Sequence, residues 1–407
     1  MKGFGWLTLF LLLNLAAAAS PDTEPAWFDF LVVDNALPGA YQVAMVDINR
    51  DGRLDLAALG EGENTGVYWY ENPSWTRYPI SGSEIHHPID LAFYDLDGDG
   101  DVEMALASDF DLNRSKVGGT ISWFDRTEDV HQPWKSYLIH AEPTAHRLRW
   151  AQFAPGKPPV LVVAPIVGVG SSGPNYDQTA IRLLAFTIPP HPRQDPWPME
   201  ILDVTFHLVH GLFVHPLKDG REAIFTAGLE GIHRFLRAGT GQTSRWEKAL
   251  FGAGAPKESG RTGASELVLG HLHDGREFIA AVEPWHGNQV AVYTAESGAS
   301  SLPWTRAVLD ESFVAGHALA CADWDQDGED EIIAGYRGEG HTIYLYDRQG
   351  EGGNAWTRIT LSTGVAAQGF AVGDVNADGW LDFAANGGST HNVTLFFNRG
   401  AAAHSRK

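Results

Sequence analysis

Asp95-Leu-Asp-Gly-Asp-Gly-Asp-Val-Glu103 decides the fold. Carboxylates stand at positions one, three, five and nine of this stretch, and Gly100 stands at position six, where the chain must reverse sharply. An apolar run precedes it (Ile89 to Tyr94) and another follows (Val102 to Ala107). The pattern reads as strand, acidic turn, strand. The same module returns at Asp47 to Asp55, Asp323 to Glu331 and Asp374 to Asp382, and in worn form at Gln152 to Gly156, His215 to Glu222 and Gly270 to Glu277.

Each of these units also carries a tryptophan: Trp27, Trp75, Trp134, Trp197, Trp246, Trp304 and Trp356. Short β-like runs follow most of them, for example Thr76-Arg-Tyr-Pro-Ile80 and Thr357-Arg-Ile-Thr-Leu361. Four strands per unit and a period of roughly 50 residues are the mark of a β-propeller blade. The fold expected is all-β, a seven-bladed propeller over residues 20–407. Closure follows from the register. The run from Trp27 to Asp34 is a fourth strand with no partners ahead of it, and the last unit, Gln368 to Asn398, lacks a fourth strand. The N-terminal strand therefore completes the last blade and removes two exposed sheet edges.

The chain has 407 residues, 44% of them hydrophobic, which is enough for a real core. A formal net charge of -22 argues against nucleic acid or an anionic membrane surface as partner. Residues 1–19 read as a signal peptide: Lys2, then the apolar stretch Gly5 to Leu15, then small residues Ala17 to Ala19. The apolar stretch is short for a membrane span, so the expectation is an exported protein, periplasmic or extracellular. Cys321 is the sole cysteine, so no internal disulfide forms. A proline-rich connector, 187–199, interrupts one blade.

The intact turns are candidate Ca²⁺ sites. Their ligands would be Asp47, Asn49, Asp51 and Asp55; Asp95, Asp97, Asp99 and Glu103; Asp323, Asp325, Asp327 and Glu331; and Asp374, Asn376, Asp378 and Asp382. The alternative is that these side chains cap backbone N–H groups within the turn, with no metal. In both cases the role is structural.

Because the acidic turns share one face, the remaining loops share the other. Inner-strand starts on that second face carry Tyr41, Gln42, His87, Asp90, His146, Arg147, His210, Glu266, His317 and Gln368. Loops between second and third strands add Trp285, His286 and Asn288. The expectation is that His87, His146, His210 and His317 converge at the axis, as a transition-metal site of Zn²⁺ type, a general acid/base site, or both.

The acidic turns resemble the FG-GAP/VCBS repeats of integrin-like propellers. A second set of stretches resembles the propeller part of the aldos-2-ulose dehydratase family: His146-Arg-Leu-Arg-Trp150, Val162-Val-Ala-Pro-Ile-Val-Gly168, Glu283-Pro-Trp-His-Gly-Asn-Gln289 and Gly316-His-Ala-Leu-Ala320. That resemblance implies a lyase that dehydrates a keto-sugar such as 1,5-anhydrofructose; the family's cupin domains do not show in this sequence. On that reading His146, His210 or His317 supplies the base or holds a metal. Arg147, with Arg149 as fallback, polarises the carbonyl. Glu266 or His286 protonates the leaving group, and Trp285 stacks on the sugar, with Tyr41, Gln42, His87, Asp90, Asn288 and Gln368 around it. Two other readings stay open: a polysaccharide lyase, and a non-catalytic sugar- or protein-binding propeller.

Overall fold

The computed structural model describes residues 27–401 apart from 64, 83, 240–243, 258–260, 296–301 and 351–354. The signal-peptide stretch lies outside the described residues. Among the described residues the strands form seven four-stranded antiparallel sheets. Six are sequential. Their inner strands are Ala40–Val46, Asp90–Tyr94, Ala145–Ala151, Val209–Pro216, Glu266–His271 and Gly316–Ala322, and we number the blades 1 to 6 in that order. Helix is nearly absent; Leu112–Arg114 forms a 3-10 turn.

Blade 7 is closed as the register predicts. Its inner strand is Ala367–Gly373, and its outermost strand is Phe28–Asp34, which pairs antiparallel with Asn392–Asn398 from Phe28↔Asn398 to Asp34↔Val393. Phe28 then meets Phe383 edge-on at 5.0 Å and Trp324 of blade 6 at 6.4 Å. Aromatic contacts of this geometry contribute about 0.5–1.5 kcal/mol each beyond area burial. The first described strand is thereby tied into the core between two blades. The second strands are buried throughout in blades 1, 2 and 6, because each blade is packed on both faces by its neighbours.

The tryptophans stand where the repeat requires, at or just before the outer strands, and the proline-rich connector lies between Leu183–Thr187 and Met199–Asp203 of blade 3. Among the described residues no helix is long and apolar enough to cross a membrane.

At the acidic turns the side chains bond backbone. In blade 1 the Asp47 carboxylate accepts from Asp51 N at 3.1 Å and Gly52 N at 3.0 Å. Asp323 and Asp374 take equivalent N–H groups in their own turns, and Asp95 accepts from Gly98 N and Gly100 N. The position-nine carboxylates turn inward: Asp55 accepts from Ile48 N at 3.0 Å and Asn72 N at 2.8 Å, and Asp382 from Val375 N at 3.0 Å and Asn398 N at 2.8 Å. Burial pushes Asp55 and Asp382 up to about 6 and Glu103 up to about 8. Acidic oxygens of Asp95, Asp97 and Asp99, and of Asp323, Asp325 and Glu331, come within 4.8 Å of one another.

Candidate active site at the propeller axis

Tyr41, His146, His210, His317 and Gln368 are each the second residue of an inner strand. At each of these places the pairing with the second strand slips: Ala145/Arg147, Val209/Gly211, Gly316/Ala318, Ala367/Gly369 and Ala40/Val43 bracket a register shift. A bulge of this kind leaves one residue unpaired and re-aims its side chain. Five blades thus place a polar group at the channel. Blades 2 and 5 pair without a slip from Asp90↔Ala107 and Glu266↔Val282, and both supply a carboxylate.

The rings meet closely. His210 lies 4.8 Å from His146, 4.9 Å from His317 and 4.7 Å from His286, centroid to centroid. The Tyr41 hydroxyl sits between two of them, 3.0 Å from His317 Nε2 and 3.4 Å from His146 Nε2. Arg147 is buried, donates to Glu266 Oε1 at 2.8 Å, lies 3.3 Å from His146 Nε2 and passes over the Tyr41 ring at 5.5 Å. Glu266 Oε1 also lies 2.9 Å from His210 Nδ1. Below the cluster the axial channel opens into a cavity of about 340 Å³, with Gln42, Arg147, Glu266, His317 and Gln368 among its lining.

Partners fix the tautomers. The carbonyl oxygen of Gln368 accepts from His317 Nδ1 at 2.5 Å, so Nε2 of the neutral ring carries a lone pair. Glu266 holds the proton of His210 on Nδ1 in the same way, which leaves His210 Nε2 bare. It faces His286 Nε2 at 3.0 Å. His286 Nδ1 lies 3.2 Å from a donor of Arg337, so the neutral His286 ring carries its proton on Nε2 and donates to His210. His286 holds φ 47°, a left-handed conformation uncommon for a side-chain-bearing residue, and its own N–H is tied to Ser265 Oγ at 3.3 Å.

The electrostatics favour uncharged rings. Burial, reinforced by Arg147, Arg337 and the sister imidazoles, holds His146, His286 and His317 well below the usual histidine range. Burial lowers His210 too, against the pull of Glu266. Burial pushes the Tyr41 hydroxyl up, so it keeps its proton. For Glu266 burial works against the charge, but Arg147 and His210 outweigh it and hold the carboxyl below its ordinary range. Glu266 is therefore ionised, which suits it to orienting His210 and not to the proton-donor role the sequence suggested.

Several expected residues sit elsewhere. His87 bonds Glu63 Oε1 at 3.2 Å at the rim and does not join the axial rings. Its loop, at φ 45°, points it back to the neighbouring blade. Asp90 is buried and spent on Leu148 N at 2.9 Å and Arg149 at 2.6 Å, so Arg149 is bound away from the cluster and Arg147 alone enters it. Asn288 is exposed and reaches Glu311 O. The Trp285 ring is buried, with the Arg261 guanidinium at 5.2 Å and the His286 ring at 4.9 Å. Sequence reasoning missed Arg337. It follows the second strand of blade 6, bonds Gln368 Oε1 at 2.9 Å and has no carboxylate partner among the described residues. Its signal was available: it occupies the same kind of loop as His286.

Comparison with known proteins divides the chain at the worn turns. A family model described as the β-propeller domain of aldos-2-ulose dehydratase matches residues 118–296, and an FG-GAP-like repeat model matches 39–106 and 323–385. His146, Arg147, His210, Glu266 and His286 lie within the first match. Aldos-2-ulose dehydratase of Phanerodontia chrysosporium is 29% identical over 291 residues, 66% of this chain. The matched region is 31% of that protein, so the chain spans about a third of its relative's length. A solved β-propeller domain, that of Myceliophteria thermophila Cps50 (Swd1), aligns with TM-score 0.48 and 11% identity over 90% of this chain and 99% of the other. This chain is a seven-bladed propeller, with segments that match an FG-GAP-like repeat and a central part that resembles the propeller of aldos-2-ulose dehydratase.

Proposed function

We propose that the chain is an exported carbohydrate-active lyase that dehydrates a keto-sugar of the 1,5-anhydrofructose or aldos-2-ulose type. One observation carries the reading: four neutral imidazoles from separate loops and blades converge with Tyr41 and Arg147 in a buried axial site. The similarity to aldos-2-ulose dehydratase supplies the substrate class, and the leader-like residues 1–19 support export.

Elimination of water beside a carbonyl needs a base for the acidic C–H, a cation for the enolate oxygen and an acid for the departing hydroxyl. His146 is the base. It is neutral, and the Arg147 donor beside its Nε2 leaves the lone pair on that nitrogen, next to the Tyr41 hydroxyl. The Tyr41 hydroxyl protonates the leaving group and regains its proton from His146, to which it is adjacent. The Arg147 guanidinium beside Tyr41 stabilises the transient phenolate, and Arg337 faces the enolate oxygen.

The donor set fits a divalent metal. His210, His286 and His317 bring one nitrogen each to within 4.8 Å of the others, and carboxylate or carbonyl partners orient two of the three rings. His286 joins only if its Nε2 proton and its bond to Arg337 are given up. A Zn²⁺-type ion held there would act as a Lewis acid toward the carbonyl oxygen. The intact acidic turns are the proposed Ca²⁺ sites, with a structural role.

The test is incubation of purified protein with 1,5-anhydrofructose and ultraviolet detection of an enone, beside metal analysis of the same preparation. Enone formation that disappears in the His146→Ala, His317→Ala double variant is expected. Absence of turnover in the metal-loaded wild type, or full activity in the double variant, ends the proposal.

A further inference from the structure

The axial cavity of about 340 Å³ has two ends of different chemistry. Beside the histidine cluster its lining is polar. Arg147, Glu266, His317 and Gln368 all stand among the first three residues of their inner strands. Deeper, toward the acidic turns, the lining changes. Phe213, Leu269, Leu319, Phe370 and Val372 are fourth to sixth residues of the inner strands of blades 4 to 7. Arg149, held by Asp90 at 2.6 Å, is the one charged group of the lining at that depth.

These apolar side chains are not sunk in the core. Phe213, Leu319, Phe370 and Val372 are only partly buried. Their backs are supported: Phe213 and Leu319 pack against the group that holds Phe278 and Ile332, and Phe370 meets Phe383 edge-on at 5.7 Å. What remains exposed borders the cavity. Single exposed apolar residues are ordinary, but here four adjacent blades present one apolar wall.

A bare sugar does not match such a site. Its hydroxyls suit the polar end and leave the wall in water. An apolar group laid along the wall removes both surfaces from water. The volume stands just above the roughly 300 Å³ at which pockets for small ligands begin, room for one sugar ring with a short substituent and not for a polysaccharide.

From this we infer that the substrate is a keto-sugar carrying an apolar substituent, aryl or short alkyl. The ring occupies the polar end, and the substituent lies along Phe213, Leu319 and Phe370. 1,5-Anhydrofructose is then a truncated substrate that fills the polar end alone. The inference rests on the lyase reading only for the reaction at the ring; the fit of the substituent is measurable by itself with sugars that cannot react.

The experiment is calorimetry on the full chain with methyl, butyl, hexyl and phenyl β-glucosides, which carry no carbonyl. Affinity should rise from methyl to hexyl by up to about fourfold per methylene. Phenyl glucoside should bind about tenfold tighter than methyl glucoside, with a more negative heat-capacity change. The Leu319→Asn, Val372→Thr double variant should weaken hexyl and phenyl binding severalfold and leave methyl glucoside unchanged. Val372→Thr alone, a milder change of shape, should move in the same direction. Equal affinity for methyl and hexyl glucoside, no binding of any of the four, or hexyl binding that both variants leave untouched overturns the inference. A rising alkyl series with no turnover of 1,5-anhydrofructose or of a phenyl keto-glycoside supports the apolar subsite and removes the lyase reading. Turnover of 1,5-anhydrofructose with a flat alkyl series does the reverse.

Discussion

At one end of the first inner strand Asp47 bonds backbone four and five residues ahead, and Asp55 bonds backbone seven residues behind. At the other end of the same strand Tyr41 bonds rings 105 and 276 residues away. The turn end is a local device. Most of its donors and acceptors lie within one short loop, with position nine also reaching the end of the third strand of the same sheet, and it wears away in some blades without loss of the fold. The axial end is non-local. Arg147 and Glu266 are 119 residues apart, His210 and His286 76, and none of these contacts exists until the ring of blades closes. One end can therefore be altered piecemeal, and the other responds as a unit.

That contrast can be broken most sharply at the axis. Tyr41→Phe should reduce turnover of the keto-sugar by about 10² to 10⁴, the range for a lost general acid, while circular dichroism and the melting temperature stay close to wild type. Unchanged turnover would remove Tyr41 from the chemistry. Arg147→Met should do something different, because it leaves the Glu266 carboxylate buried without its cation. A loss of about 3–5 kcal/mol in urea unfolding is expected, with partial recovery when Glu266→Gln is added. No recovery would mean that the two residues do not act as a pair.

At the turn end the effects should be smaller and should differ by position. Asp55→Ala strands two buried N–H groups and should cost about 1–3 kcal/mol, whereas Asp51→Ala, at an exposed position, should cost under about 1 kcal/mol. Equal losses would mean that position nine has no special place in the turn. The same turn end should respond to pH. The folded-state values of Asp55, Asp382 and Glu103 are raised above the roughly 4 of an unfolded carboxyl. The folded chain thus holds protons that the unfolded chain has released. In chelator, the stability these three carboxyls contribute should be fully present near pH 4 and be lost as pH climbs through about 6 for the two aspartates and about 8 for Glu103. The four axial imidazoles act in the opposite sense and destabilise the fold as pH falls below the free histidine value. The difference between wild type and Asp55→Asn across pH isolates the turn. Millimolar calcium should raise the melting temperature and flatten that fall; a curve that calcium leaves unchanged would sink the cation reading of the turns.

The difference between the two ends also explains what could be read early. The blades, their number, the closing strand and the acidic turns all rest on patterns within a few residues or on a repeat. His146, His210 and His317 could be placed at the axis because the repeat puts all inner-strand starts there. His87 and Asp90 obeyed the same rule in sequence and still missed the cluster: His87 is taken by Glu63 at the rim, and Asp90 by Leu148 N and Arg149. Those partners come from a loop of blade 1 and from the inner strand of blade 3, and no residue beside His87 or Asp90 announces them. Arg337 and His286 come from loops whose direction depends on neighbouring blades.

The sequence by itself determined a closed ring of seven sheets and the set of turns that link their inner strands, since hydrophobic alternation, turn residues and a repeat act over short distances. Tertiary structure alone decided which polar residues meet at the axis, which tautomer each imidazole adopts, and that Glu266 stays charged. Those outcomes depend on burial and on partners brought from other blades, and neither exists in the unfolded chain.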